Sequence, residues 1–266
     1  MVATIDHESA FEIQLRAMRE CIEFIGRSSD SGLVIERDGV VASMSPICPD
    51  RSIANSVVYG DGTSLTAQLD DLAMAYAGAG IIAWTVWAPE FDRPTIDALE
   101  RAGHHFDGNP AAMVLDLDGF EPPPVGDLDW DAEATIETVA QLNDRAYGHP
   151  HEQGFGRAFQ QRPDGLDLRM YQARADGEPA SVVATIDHPA APGMPRADCG
   201  IYWVATHPDH RGRGLTTRLL GLALAHARER GCGTSSLQSS AMGYPIYERL
   251  GYRTHYRWNM YERRRA

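Results

Sequence analysis

The segment SLTAQLDDLAMAY (residues 64–76) lies over GLTTRLLGLALAH (214–226) without a gap, and six of the thirteen positions are identical. The matches are Leu65/Leu215, Thr66/Thr216, Leu69/Leu219, Leu72/Leu222, Ala73/Ala223 and Ala75/Ala225. Two unrelated Ala/Leu-rich helices would share about one or two. LERAG (99–103) likewise lies over YERLG (247–251), and the order of predicted elements is the same in both halves. A repeat of this kind constrains the fold more than any single motif, because each half has to bury the same helix face in the same way. The chain of 266 residues is long enough for two small domains. The expected fold is α/β (α+β), with two tandem domains that are each a mixed central sheet flanked by helices. Residues 1–118 form the first domain and 128–266 the second. GFEPPPVGD (119–127) reads as a linker stiffened by three consecutive prolines.

Apolar spacing predicts a helix over 6–27 and β-like runs in GLVIER, VVASMSP and SIANSVVY, the first two joined by an Asp-Gly turn. A helix over 64–77, a strand in IIAWTVWAP, a helix in RPTIDALERAG and a strand in AAMVLDLD complete the first half. The second half reads as helices at 131–147 and 154–161, then strands in DLRMYQAR, PASVVATID and CGIYWVAT. A long helix to about Arg230, a strand in TSSLQSS, a helix in YPIYERLG and terminal strands in THYRWNMYER follow.

Composition narrows the function classes. The formal net charge is −13, which argues against general nucleic-acid binding. No stretch approaches the ~18 apolar residues of a membrane span, and the N-terminus lacks a secretory pattern. Cys21, Cys48, Cys199 and Cys232 are scattered without a C-x-x-C pair, as expected of reduced thiols in a cytoplasmic protein. HPHE (149–152) and HPDH (207–210) lack metal-ligand spacing, so no metal is expected.

Against this acidic background, HRGRGL (210–215) places two arginines and two glycines between an apolar strand and an apolar helix. Gly212 and Gly214 permit tight backbone geometry and close ligand approach. The helix that follows offers unpaired N–H groups and the positive end of its dipole, an arrangement that binds phosphate readily. Arg211 and Arg213 can add charge-assisted hydrogen bonds. No Gly-Lys-Ser/Thr follows, and a third glycine at the dinucleotide spacing is replaced by Thr217.

VATHPDHRGRGLTTRLL resembles the signature of the GNAT acyltransferase superfamily, Arg/Gln-x-x-Gly-x-Gly/Ala, which falls on Arg211, Gly214 and Thr216. The threonine departs from the pattern. LQSSAMGYPIYERLGY resembles the second motif, with Ser240 where Asn is usual, Tyr247 at the tyrosine, and Gly251-Tyr252 for Gly-Phe. The likeness covers 128–262, and the first half resembles a degenerate copy, so the layout is that of tandem members of the mycothiol synthase type. The resemblance implies acyl-coenzyme A binding, most of all acetyl-CoA. The backbone of Val204, Ala205 and Thr206 would pair with the pantetheine arm. The N–H groups of Arg211, Gly212, Arg213, Gly214, Leu215 and Thr216 would hold the pyrophosphate, with Ser240 nearby. The acceptor, an amine of a small molecule or peptide, would attack the thioester directly, with Tyr247 protonating the departing thiolate.

An amine nucleophile has to lose a proton, and the residues leave the base open. No acid is expected inside the strand CGIYWVAT; Asp198 stands before it and His207 after it. His149, His151, Glu152 and His188 are further candidates, and a water relay is the alternative. In the helix register Asp61 falls opposite Arg211, Thr63 opposite Arg213 and Ser64 opposite Gly214, and in the LERAG register Leu99 falls opposite Tyr247. An aspartate would repel phosphate there, so one site is expected, in the second half. A non-catalytic acyl-CoA-binding, regulatory or scaffold protein is the competing class.

Overall fold

In the computed structural model, residues 5–150, 154–190 and 196–265 are described. The chain divides into two compact units, and neither is one continuous stretch of sequence.

One unit holds Met18–Ala111, Arg157–Pro163 and the segment from Tyr256 onward. It contains the second part of α1 (His7–Arg27), β1 (Leu33–Arg37), β2 (Val40–Met44), β3 (Ser56–Tyr59), α2 (Gly62–Gly78), β4 (Ala83–Pro89), α3 (Arg93–Arg101) and β5 (His105–Gly108). The sheet order is β1-β2-β3-β4 and then the C-terminal strand β12 (Arg253–Arg264), with β5 on β12. The β1–β2 hairpin turns through Asp38 (φ 47°) and Gly39 (φ 79°), the left-handed pair that a two-residue hairpin requires. Strands β3 and β4 are parallel, with α2 as their crossover. Leu65, Leu69, Leu72 and Tyr76 recur at helical spacing and pack with Val57, Val86, Ile96 and Leu99.

The other unit holds the N-terminal segment to Ala17, Ala112–Gly156 and Asp164–His255. Its elements are β6 (Ala111–Asp116), β7 (Trp130–Asp131), α4 (Ile136–Ala146), β8 (Leu168–Ala175), β9 (Glu178–His188), β10 (Ala197–Thr206), α5 (Leu215–Glu229), β11 (Cys232–Ser239) and α6 (Tyr244–Arg249). The sheet order is β6-β11-β10-β9-β8-β7. Among the described residues, no helix is long and apolar enough to cross a membrane.

Several elements differ from the sequence expectation for identifiable reasons. Residues Ser52–Ala54 form a 3₁₀ turn rather than strand. Buried Asn55 latches the preceding loop, accepting from Ser45 N and donating to the Cys48 and Arg51 carbonyls. Helix α4 starts at Ile136, not 131, because Thr135 caps it through Thr138 N at 3.0 Å. Trp130 and Asp131 instead pair with β8. The C-terminal strand pairs antiparallel with β4 from Trp258↔Pro89 to Arg264↔Ala83, and Tyr261 enters the Val86 cluster.

The proline-rich segment runs along α5. Arg218 donates to Val125 O at 3.2 Å and to Asp127 at 2.9 Å, and Arg228 donates to Phe120 O at 2.6 Å. Between them, a Cβ on Gly221 would fall 2.6 Å from Pro123 Cδ. Gly221→Ala would ordinarily gain up to ~1 kcal/mol of helix propensity. Here the proline ring cannot yield, and overpacking of about 1–3 kcal/mol is expected to win. A thermal melt should show a lower midpoint for this variant; a higher one would mean that the segment lifts off α5 at little cost.

Candidate functional site

Strand β10 carries the candidate site. Its parallel register with β11 covers Ala197–Gly200 against Cys232–Ser236 and stops there, although β10 runs on to Thr206 and β11 to Ser239. On its other side β10 stays paired with β9, with a shift between Tyr202↔Ala184 and Ala205↔Val182. Trp203 sits in this bulge at φ 45°, rare for a bulky residue. Bulges of this kind re-aim a strand beside a site. Val204, Ala205 and Thr206 therefore present, away from β9, a backbone edge that β11 does not pair.

The turn after β10 is built for close approach. Pro208–His210 form one 3₁₀ turn, and His207 Nδ1 accepts from Asp209 N at 3.2 Å. Gly212 (φ 76°) and Gly214 (φ 73°) are both left-handed, and α5 starts at Leu215 with no side-chain cap. A Cβ on either glycine would meet nothing within 4 Å. Uncapped first-turn amides thus face a turn with room beside it. The arginines already have protein partners. Arg213 Nη1 is 2.8 Å from His210 Nδ1, and Arg211 Nη2 donates to Ala146 O at 2.6 Å. Thr216 is nearly buried, and its hydroxyl meets Thr206 Oγ1 and Ser181 Oγ, the latter at 3.1 Å. Ser181 also donates to Ala205 O at 3.2 Å. The residue that departs from the expected Gly/Ala thus uses its hydroxyl to tie the end of β10 to the start of α5.

Tyr247 lies on α6, buried, with its ring edge-on to Tyr252 at 5.8 Å. Gly243 makes room for it, since a Cβ there would lie 2.8 Å from Tyr247 Cε2. Burial, and then the neighbouring Tyr147, push its phenol pKa well above the usual tyrosine range. Among the described residues no hydrogen bond to its hydroxyl is formed. Ser240 shapes the approach to α6: its hydroxyl accepts from Gly243 N at 3.3 Å and its carbonyl from Tyr244 N at 3.0 Å.

Asp198 lies inside β10, not before it, which corrects the expected strand boundary. It pairs in register with His188 on one side and Thr234 on the other, two residues before the β10–β11 ladder ends. Fully buried, its carboxylate accepts from Thr234 Oγ1 at 2.8 Å and from Ser236 Oγ at 2.6 Å. Burial raises its pKa, opposed by His188 and the two hydroxyls. His188 Nε2 is 3.0 Å from Tyr202 Oη, which donates to Ala17 O at 2.8 Å. The tyrosine proton goes to the carbonyl, so Nε2 carries a proton and donates to Tyr202. His207 is taken up by its own turn and His149 is exposed. His151 and Glu152 lie outside the described residues.

The first half handles the matching turn differently. Gly62, Thr63 and Ser64 are already helical in α2, and the Asp61 carboxylate accepts from Ser64 N at 2.7 Å. A Cβ on Gly62 would overlap Thr95 Oγ1 and come within 2.8 Å of Asp92 Oδ2. Where Gly212 and Gly214 have open space, this turn is capped by its own acid and crowded by α3. Leu99 is core.

Sequence reasoning did not single out Thr234, Ser236, Ser181 or Tyr147. The signal available was the run of hydroxyls in TSSLQSS, which is unusual for a buried strand and calls for polar partners. The four cysteines are free, and burial pushes the thiols of Cys21 and Cys232 up to about 12 and that of Cys199 well above its usual value. Thiolates, the nucleophilic form, are disfavoured at all three. Among the described residues no His/Cys/Asp/Glu group is placed to hold a metal ion.

Comparison with known proteins bears on this region. The family described as Acetyltransferase (GNAT) domain matches residues 132–255. A mycothiol acetyltransferase of Cellulomonas flavigena is 34% identical over 131 residues, 42% of this chain but only 36% of that protein's length. Among solved structures, a GCN5-related N-acetyltransferase from Kribbella flavida superposes with TM-score 0.64 at 18% identity, covering 94% of this chain and 95% of the other. A tandem GNAT protein from the clavulanic acid biosynthesis pathway gives 0.60 at 16% identity, covering 97% and 95%. At these identities the structural likeness concerns the fold.

Proposed function

We propose that the chain, whose residues 132–255 match the family described as Acetyltransferase (GNAT) domain, is a GNAT N-acetyltransferase that takes acetyl from acetyl-CoA to the amine of a small molecule or peptide. The domain of residues 128–266 is assigned the chemistry. Residues 1–118 are read as its degenerate copy, joined through 119–127. The observation that carries this reading is the left-handed Gly212/Gly214 turn, open at the head of an uncapped α5, directly after a strand that has parted from its neighbour.

Each residue then has a task. The free edge of Val204, Ala205 and Thr206 pairs with the pantetheine amides. The amides from Arg211 to Thr216 hold the pyrophosphate, and Ser240, on the approach to α6, adds a contact to the cofactor. Asp198, at the closed end of the strand divergence, takes the proton that the acceptor ammonium has to lose. The amine attacks the thioester carbonyl, the tetrahedral adduct collapses with cleavage of the carbon–sulfur bond, and Tyr247 protonates the departing thiolate sulfur. The remaining extra proton on the adduct nitrogen leaves to solvent, from which the Tyr247 phenolate is reprotonated. Direct attack agrees with the disfavoured thiolates of Cys21, Cys199 and Cys232, which are poor candidates for a covalent acyl-enzyme.

A thermal melt with and without millimolar acetyl-CoA tests the reading. At ~100 times its dissociation constant a ligand adds about 2.7 kcal/mol, a rise of roughly 5–10 °C for a chain of this size. No shift in folded, cofactor-free protein would sink it. A shift without CoA release for any amine would leave a binding module.

A further inference from the structure

Arg211 opens the turn that heads α5, yet its guanidinium reaches a different helix, donating to Ala146 O at 2.6 Å. Ala146 ends α4, where the last carbonyls lack intrahelical partners and carry the negative end of the dipole. A cation there caps the helix. The next residue, Tyr147, is 52% exposed and lies near enough to Tyr247 that a phenolate there would oppose ionisation of the Tyr247 phenol. The same helix end is gripped from another side. Asp144, 1% exposed, accepts from Gly156 N at 2.9 Å, and a Cβ on Gly154 would overlap its carboxylate. The last amides of this end, those of Tyr147, Gly148 and His149, donate to the carbonyls of Asn143, Arg145 and Asp144.

We propose that the Arg211 side chain is a clasp, a positioning residue that ties the C-terminal end of α4, and Tyr147 with it, to the glycine turn, so that occupancy of the turn is transmitted to that helix end. The physical reasoning has two steps. A turn with two left-handed glycines is soft by itself, and a ligand that orders its amides also orders the Arg211 backbone. The side chain, bonded to Ala146 O, passes that order to α4, and by linkage a well-held α4 favours the ligand in return. Arg211 thus contributes its backbone to the turn and its charge to α4, where charge alone would have assigned it to phosphate. The clasp is a property of the chain alone; only the transmission step rests on the turn being the acetyl-CoA site.

Hydrogen exchange of the full chain, with and without acetyl-CoA, tests both steps in wild type, Arg211→Gln, Arg211→Lys and Arg213→Gln. Without ligand, the amides of Tyr147, Gly148 and His149 should exchange roughly three- to tenfold faster in Arg211→Gln. Arg211→Lys, which can still donate to a carbonyl, should restore part of the protection. Arg213→Gln, whose partner is His210, should leave these amides unchanged. Acetyl-CoA should slow them in wild type and in Arg213→Gln but not in Arg211→Gln, where the turn itself still gains protection. Unchanged rates in ligand-free Arg211→Gln, or an equal rise in Arg213→Gln, would overturn the clasp. An acetyl-CoA effect on α4 that survives Arg211→Gln would overturn the transmission. If acetyl-CoA leaves the wild-type turn unprotected, both the transmission and the reading of the turn fall, while the ligand-free comparison still decides the clasp.

Discussion

Tyr247→Phe is expected to lower the rate of CoA release by roughly 10²–10⁴-fold while acetyl-CoA still raises the melting temperature as in wild type. The phenylalanine ring keeps the packing against Gly243 and Tyr252 and loses only the hydroxyl. Without that proton the thiolate departs uncompensated, so the loss should fall on kcat and leave the acetyl-CoA dissociation constant nearly unchanged. The pH dependence follows from the raised phenol pKa. A buried phenol holds its proton through neutral and mildly alkaline pH, so wild-type activity should not fall across the ordinary tyrosine range. An undiminished rate in the variant would remove Tyr247 from the reaction.

Asp198→Asn should cost a similar factor of roughly 10²–10⁴ in kcat. Burial raises the carboxyl pKa, so the acid limb of the wild-type rate profile should lie above the usual carboxylate range. As pH falls through that limb, Asp198 takes up a proton and the rate drops; in Asp198→Asn the limb should be absent. The same shift sets a stability trend. The folded state holds this proton more tightly than the unfolded chain, so the contribution is fully present below the unfolded value and is lost as pH rises through the folded one. The asparagine variant lacks that loss, and its melting temperature should depend less on pH across the window. Wild-type rates with an unchanged acid limb would move the base elsewhere, with a water relay as the first alternative.

The strand–turn–helix that carries the candidate site was legible because its signals are local. Two glycines, a strand before them and a helical period after them sit within a few residues, and positive φ at both glycines is what such spacing allows. Asp198 was harder to place. Aspartate is a poor strand former, and its position inside β10 depends on His188 and Thr234 as cross-strand partners. Thr216 looked like a departure from pattern until Ser181 and Thr206 were seen to engage its hydroxyl. The arginines illustrate the same limit. Charge at a phosphate-type turn is readable from spacing, but the carbonyl that holds Arg211 lies 65 residues away in the chain.

From sequence alone came the repeat, the mixed α/β class, the half that retains the glycine turn, and the tyrosine that follows it. These depend on periodicity and on contacts within a turn or two, which the order of residues dictates directly. The tertiary structure alone decided where β10 parts from β11, which acid sits at the closed end, and which partners the arginines take. It also decided that the last strand pairs with β4, whereas its sequence position suggested the second half. Each of these is a pairing between distant segments, set by register and packing that no local window contains.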